Sequence, residues 1–358
     1  MVNRLRRWLL SRVADPAWQS RASVGWLSRL IARRQARELF ELCTGFARTQ
    51  TLLACERLAL FEQIQHHPVS LAELAQSTSV PELRLERLLD AAVALELFER
   101  TAAGFRLGLR GAAVLGNPGV RAMIRHHEMV YRDLADPVAL LRNGAQSAAL
   151  GRYWSYADGD SSSVVAADAY SQLMGLSQSF IAAQALAVLP RSEPERLVDL
   201  GGGHGVFASA AKARYPAAEV CVLDLPAVVK SAPATDGVTF LAGDLFDGPL
   251  PAADSYSLVR ILHDHDTDAV ERLLRRVRGA LAGGGQLFII EPMAGSGARR
   301  ANRVYFDWYF LAMGQGRLRS AEELTRLLNA AGFDAVERPS TPVPLLTDVL
   351  IARVHGSN

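Results

Sequence analysis

Between residues 197 and 291 this chain spaces a glycine run, three aspartates, a histidine and a glutamate so that they could hold a charged nucleotide and move a proton. The run Leu197-Val198-Asp199-Leu200-Gly201-Gly202-Gly203-His204-Gly205 reads as a buried strand breaking into a glycine turn. Gly201, Gly203 and Gly205 let the backbone approach a ligand more closely than any Cβ allows. The helix expected next begins with free N–H groups. A dinucleotide fingerprint would read G-x-G-x-x-G, with an acid about 20 residues further on. Here the third glycine comes one position early, and Asp199 stands two residues before the first. An acid at that place suits a ligand with an ammonium or sulfonium group better than a pyrophosphate, which needs unopposed N–H donors. The plain alternative is a glycine-rich turn with no ligand.

Four further groups follow in order. Asp224 can accept both hydroxyls of a ribose, because a carboxylate has two oxygens; otherwise it caps a helix before Pro226. Asp244 can take an adenine amino group, with Leu245 and Phe246 flanking the ring; otherwise it is a turn aspartate. His263 lies in Ile261-Leu262-His263-Asp264-His265-Asp266. A metal site is not expected, since alternation at a strand end sends successive side chains to opposite sides and no further ligand cluster follows. A structural histidine and a general base remain, and the base is preferred. Neighbouring strands lie ~4.8 Å apart, so Glu291 could hydrogen-bond one ring nitrogen of His263 and fix which one stays basic.

These residues need a scaffold, and the pattern from Arg196 onward supplies it. Strand-like and helix-like stretches alternate, with strands expected near 196–200, 219–223, 238–242, 255–262, 286–291, 333–338 and 347–354. Such alternation predicts an α/β fold with a parallel sheet covered by helices. Ligands in open sheets of this kind lie outside the carboxyl ends of the strands. Gly201, Asp224, Asp244, His263 and Glu291 all fall on that rim.

The first half differs. Residues 36–64 read as one helix. Ser70-Leu71-Ala72-Glu73 fits a capping box, and Pro81 suits the first turn of the next helix. Phe98-Glu99-Arg100 and Phe105-Arg106-Leu107 around Ala103-Gly104 read as a hairpin. Helix, turn, helix, hairpin is a winged-helix layout, which raises nucleic-acid binding. Residues 81–95 carry Arg84 and Arg87 against Glu82, Glu86 and Asp90, a net −1, whereas a recognition helix facing phosphates is basic. A dimerisation role for the layout fits better, and no nucleic-acid partner is expected. Residues 118–185 look mostly helical, punctuated by Gly159-Asp160-Ser161-Ser162-Ser163.

Composition bounds the rest. The 358 residues suffice for two domains with a sizeable core. Cys43, Cys55 and Cys221 are scattered and odd in number, which argues against a disulfide framework or zinc site and for a reducing cytoplasm. No apolar run approaches the ~18 residues that span a bilayer. Trp8-Leu9-Leu10 is too short for a signal peptide. The net charge of +2 is uneven. Residues 1–40 hold nine arginines against Asp15 and Glu38, hence +7, which leaves −5 for the remainder. Trp8, Trp18 and Trp26 stand among those arginines. Such a segment suits peripheral contact with an anionic membrane, an arm packed on a partner subunit, or an organelle transit peptide.

Leu197 to Gly205, Asp224-Leu225-Pro226, Gly243-Asp244-Leu245-Phe246 and Leu262-His263-Asp264 match, in order, the motifs of the plant-type small-molecule O-methyltransferases, and the chain resembles that family over roughly residues 36–354. The resemblance implies a Rossmann-like S-adenosylmethionine-binding sheet, parallel with one antiparallel strand, behind an all-α winged-helix-like dimerisation domain. It implies a homodimer with a segment at 1–35, dimerisation domain at 36–115, helical connector at 116–185 and methyltransferase domain at 186–358. It places Asp199, Gly201, Gly203, Gly205, Asp224, Leu225, Asp244 and Leu245 at the cofactor. Arg260 stands where many relatives carry a cofactor-binding lysine, and Leu318 where plant enzymes carry a second glutamate beside the histidine. His263 would be the base and Glu291 would orient it, while Met174, Trp308, Tyr309 and Met313 would line the acceptor pocket, the alternative for these four being core or dimer packing. Ala36 to Leu42 and Leu311 to Ser320 are most similar to bacterial members that methylate carotenoids, which implies the tertiary 1-hydroxyl of an acyclic carotenoid as acceptor. A phenolic or polyketide acceptor is the alternative, and a non-catalytic cofactor-binding or regulatory protein the alternative of another class.

Overall fold

The computed structural model describes residues 2–25, 28–154, 163–295, 299–344 and 347–355. The chain folds as two compact units, Met1–Gly116 and Asn117–Asn358.

The first unit holds helices α1 (Val2–Val13), α2 (Pro16–Val24), α3 (Arg29–Cys43), α4 (Gly45–Arg57), α5 (Leu60–Ile64), α6 (Leu71–Thr78) and α7 (Glu82–Ala94), the hairpin β1 (Phe98–Thr101) and β2 (Gly104–Leu107), and α8 (Leu109–Leu115). The single helix expected over 36–64 is three. Thr44 turns its hydroxyl back onto the Phe40 carbonyl at 2.7 Å, and Ala59 adopts a left-handed φ of 50°. A helix that ran on unbroken could not place Cys55, Leu60, Phe61 and Ile64 together in the core beneath Leu74, Leu85 and Leu89. The capping box forms as the sequence predicts. Ser70 Oγ accepts from the Glu73 N–H, and the Glu73 carboxylate accepts from the Ser70 N–H. Pro81 sits just outside α7, which starts at Glu82. The hairpin gains a bridge between Val69 and Phe105, completing the helix–helix–wing arrangement.

The second unit begins with α9 (Pro118–Asp133), α10 (Pro137–Asn143), α11 (Ala149–Trp154) and α12 (Ser163–Leu186). Of the expected loop, residues 159–162 lie outside the described residues. Then β3 (Arg196–Leu200), α13 (Val206–Arg214), β4 (Glu219–Asp224), α14 (Pro226–Ser231), β5 (Val238–Ala242), β6 (Ala253–Val259), α15 (Thr267–Ala280), β7 (Leu281–Glu291), α16 (Arg299–Met313), α17 (Ala321–Ala330), β8 (Ala335–Glu337) and β9 (Asp348–Arg353) follow. Every expected strand is present. Their order is β5-β4-β3-β6-β7-β9-β8, and only β9 runs against its neighbours.

Side chains alternate across this sheet, so each strand feeds two cores. Val198, Leu200, Tyr256, Leu258, Leu287 and Ile289 face α15 and α17, while Leu197, Val220, Val222, Phe288 and Ile290 face α12 and α13. The chain winds outward from β3 through β4 to β5 and then returns to β6 on the other side of β3. This reversal opens a crevice above the carboxyl ends of β3 and β6. Two strands depart most from expectation: β7 starts at Leu281, five residues before 286, and β6 stops at Val259 instead of 262, because Arg260 takes a left-handed φ of 59° and turns the chain out of the sheet.

Candidate active site

Above β3, Gly201, Gly203 and Gly205 all have left-handed φ values, of 69°, 57° and 75°. A side chain at Gly201 would be strained twice over, since its Cβ would also lie 2.5 Å from Ile261 Cδ1. This turn is drawn in by acids on both sides. Asp224, the last residue of β4, accepts the Gly203 N–H at 2.7 Å on Oδ2 and the Leu225 N–H at 2.7 Å on Oδ1. Its half-buried carboxyl is raised from the ordinary range by burial, against the pull of those two N–H groups. Each oxygen retains a second lone pair for a ligand hydroxyl.

Asp199 is fully buried beneath the turn. Its Oδ1 accepts from Ser257 Oγ at 2.6 Å, while Oδ2 has no partner. Burial pushes this carboxyl up to about 7, with the Ser257 hydrogen bond opposing and Asp224 adding to the rise. An orphaned buried carboxylate oxygen below a glycine turn is a place where a ligand cation would be stabilised. The residues present therefore fit S-adenosylmethionine, whose sulfonium and ammonium groups are cationic. Asp244 is exposed after β5, and its Oδ1 accepts the Phe246 N–H at 2.8 Å, which fixes the turn that carries Leu245. Half-buried Leu245 packs against Gly201. Arg260 does not project free: Nη1 donates to Ser177 Oγ on α12 at 2.9 Å.

His263 follows in a short 3₁₀ turn, Leu262–Asp264, and not on a strand end. The expected alternation of side chains therefore fails. His263 and Asp264 lie together, Nε2 to Oδ1 at 3.2 Å. Among the described residues no group of three metal-ligating side chains forms. β6 and β7 are parallel neighbours, which brings Glu291 beside His263. The contact is not the one expected, however. Glu291 Oε2 accepts the His263 backbone N–H at 3.2 Å, while ring Nδ1 stands 3.7 Å from the same oxygen and has no hydrogen-bond partner. The early end of β6 causes this, because the turn presents the peptide of His263 before its ring. Glu291 is 1% exposed. Burial raises its carboxyl, opposed by the charges of His263 and Arg319.

The ring of His263, 3% exposed, lies tilted against Phe310 at 5.5 Å and Phe306 at 5.9 Å. Neither phenylalanine was singled out by sequence; their i, i+4 spacing on α16 was the available signal. The same helix carries Tyr305 and Tyr309, whose hydroxyls meet His127 Nε2 at 2.9 Å and His126 Nε2 at 2.8 Å on α9. Burial lowers both histidines, His126 to about 4. Tyr309 and Met313 are buried in the cluster around α16, Trp308 is half-buried at its edge, and Leu318 is buried with them. Met174 lies on α12, and its side chain is outside the described residues.

A parallel sheet with a switch point over β3 and β6, a glycine turn between two acids and a buried imidazole on the same rim define an α/β methyltransferase. The comparisons narrow that class. The O-methyltransferase domain family matches residues 131–334, and the O-methyltransferase dimerisation domain matches 40–111. Demethylspheroidene O-methyltransferase of Rhodobacter capsulatus is 39% identical over 91% of this chain and 84% of that protein. The acetylserotonin O-methyltransferase of Mus musculus is 33% identical over 86% of this chain and 87% of that protein. Among solved structures, human N-acetylserotonin methyltransferase in complex with its donor superposes with a TM-score of 0.75 at 24% identity, covering 90% of this chain and 98% of that one. The chain belongs to the O-methyltransferase family and is an S-adenosylmethionine-dependent enzyme acting on a small molecule.

Proposed function

We propose that this enzyme methylates the tertiary 1-hydroxyl of an acyclic carotenoid, with His263 as general base. The observation that carries the acceptor class is the 39–40% identity, over most of the chain, to two bacterial demethylspheroidene O-methyltransferases. The site supports it. An apolar polyene needs an apolar wall, and Phe306, Phe310, Met313 and Leu318 supply one beside the imidazole. Trp308 and Tyr309 extend that wall along α16.

S-adenosylmethionine supplies an already electrophilic methyl group on a sulfonium. What the chain contributes is alignment and proton removal. Asp199, with Gly201, Gly203 and Gly205, receives the cationic part of the donor. Asp224 and Leu225 hold the ribose, and Asp244 and Leu245 the adenine. Arg260, hydrogen-bonded to Ser177, ties α12 to the cofactor rim. His263 takes the hydroxyl proton while the new bond forms, since a tertiary alcohol is too weak an acid to lose it beforehand. Glu291 and Asp264, one beside each ring nitrogen, stabilise the imidazolium. The basic α1 lets the enzyme reach an acceptor stored in a membrane.

The test is a panel of hydroxylated acyclic carotenoids and phenols incubated with labelled donor. A gain of one methyl on the carotenoid hydroxyl is expected; turnover of phenols alone would reject the acceptor. His263→Ala should lower kcat about 10²-fold, with donor affinity by calorimetry kept.

A further inference from the structure

One buried charge has no part in the chemistry so far. Arg319, in the loop between α16 and α17, has no exposed surface. Its Nη1 donates to the Leu262 carbonyl at 2.7 Å, and its Nη2 donates to the His265 carbonyl at 2.8 Å with Thr267 Oγ1 at 3.4 Å. Those two carbonyls bracket His263 and Asp264. The guanidinium is a rigid planar fork with five donors, so one side chain can fix both. The same loop grips the turn through its backbone: the Arg317 N–H donates to the His263 carbonyl at 2.9 Å. Arg319 is itself anchored, its carbonyl accepting from the Ala294 N–H at 2.9 Å just beyond β7.

Burying a guanidinium is costly, and the bonds to neutral carbonyls do not offset its charge. Glu291, the carboxylate that holds the His263 peptide, is among the groups whose charge favours the buried cation. Around Glu291 stand His263 and Arg319 as attracting groups and Asp264 as a repelling one. Around Arg319 stand Glu291, Glu323 and Asp266, opposed by Arg317.

We propose that Arg319 is a positioning residue for the base: its fork holds the turn that aims His263. This rests on His263 being the base. Two substitutions test the fork. Arg319→Lys keeps a cation and loses the fork; Arg319→Met loses both. With whichever acceptor the panel shows to be turned over, Arg319→Lys should lose about 10- to 100-fold in kcat while donor affinity by calorimetry is unchanged. Arg319→Met, which leaves no donor in place of the fork, should lose at least as much.

A double-mutant cycle decides whether the effect runs through the imidazole. Added to His263→Ala, Arg319→Lys should cost nothing more. Additive losses, an undiminished kcat in Arg319→Lys, or parallel loss of kcat and donor affinity would overturn the proposal. Should Arg319→Met fail to fold, Arg319→Lys and the cycle still decide. Full activity of His263→Ala alone would instead remove the base itself, a different result from additivity.

Discussion

Two buried carboxyls at the rim, Asp199 and Glu291, are both raised by burial, and that makes them costly to the empty fold. An acid whose folded pKa stands above its unfolded one contributes stability that is present below the unfolded value and is lost as pH rises through the folded one. For Asp199 the window runs from its ordinary 3.8 to about 7. Thermal melts of Asp199→Asn should therefore match the parent at the acid end, gain on it through that window, and hold a constant lead above it. A melting gap that shrinks with rising pH would contradict the burial argument. Donor binding should show the reverse preference. A cation beside Asp199 favours the ionised form, so parent affinity should climb through the same window with proton release, and Asp199→Asn should lose that dependence. Calorimetry in buffers of different ionisation heat reads the proton directly. Glu291→Gln should lower kcat about 10-fold, because the uncharged side chain no longer stabilises the imidazolium. The acids were legible from spacing alone, since their positions relative to strand ends follow from the alternating pattern. Arg319 was not, because nothing in Leu318-Arg319-Ser320 distinguishes a buried fork from a solvated arginine until the loop is folded back on the His263 turn.

Elements were legible where a repeating pattern specifies them. The strands of the second unit read as buried apolar runs, and all seven occur close to their expected bounds. Breaks were harder to foresee. The interruptions at Thr44 and Ala59, and the early end of β6 at Arg260, depend on where neighbouring elements need the chain to go. Ala59 and Arg260 occupy left-handed backbone at a residue type that carries no signal for it. That last turn explains why Glu291 meets the peptide of His263 and not its ring. The loop between α16 and α17 must then approach the turn closely, and Gly316 is where it does so, at a φ of 83°. A Cβ there would collide with the His263 carbonyl oxygen and crowd the Asp264 carbonyl. Gly316→Ala should displace the base without touching the donor turn, so kcat should fall about 10²-fold with donor affinity preserved. Unaltered kcat in a folded Gly316→Ala would show that the turn tolerates displacement.

At the scale of the whole molecule, the positive charge is concentrated in residues 1–40. No helix among the described residues is long and apolar enough to cross a membrane. α1 nonetheless exposes Leu5, Trp8, Leu9 and Leu10 alongside Arg4, Arg6, Arg7 and Arg12, with no acidic residue in its first turn. Two readings of this segment, an arm on a partner subunit and a membrane contact, differ in what they require. An arm on a partner subunit needs an acidic or apolar counter-surface and is indifferent to lipid. A membrane contact needs anionic headgroups, gains about 1 kcal/mol per arginine near the surface, and weakens as salt shortens the Debye length. An enzyme with the proposed polyene acceptor has reason to sit where the polyene is dissolved. The proposed contact should show as co-sedimentation with phosphatidylserine-containing vesicles, little with phosphatidylcholine alone, and release by salt. Trp8→Ala should weaken the association by removing the interfacial anchor, and Arg4→Glu with Arg7→Glu should abolish it. Turnover of a small water-soluble hydroxylated acceptor should be unchanged in both, since α1 belongs to neither the donor turn nor the base. Equal sedimentation with both vesicle types, or variants that alter subunit dissociation and not sedimentation, would assign the segment to the partner subunit.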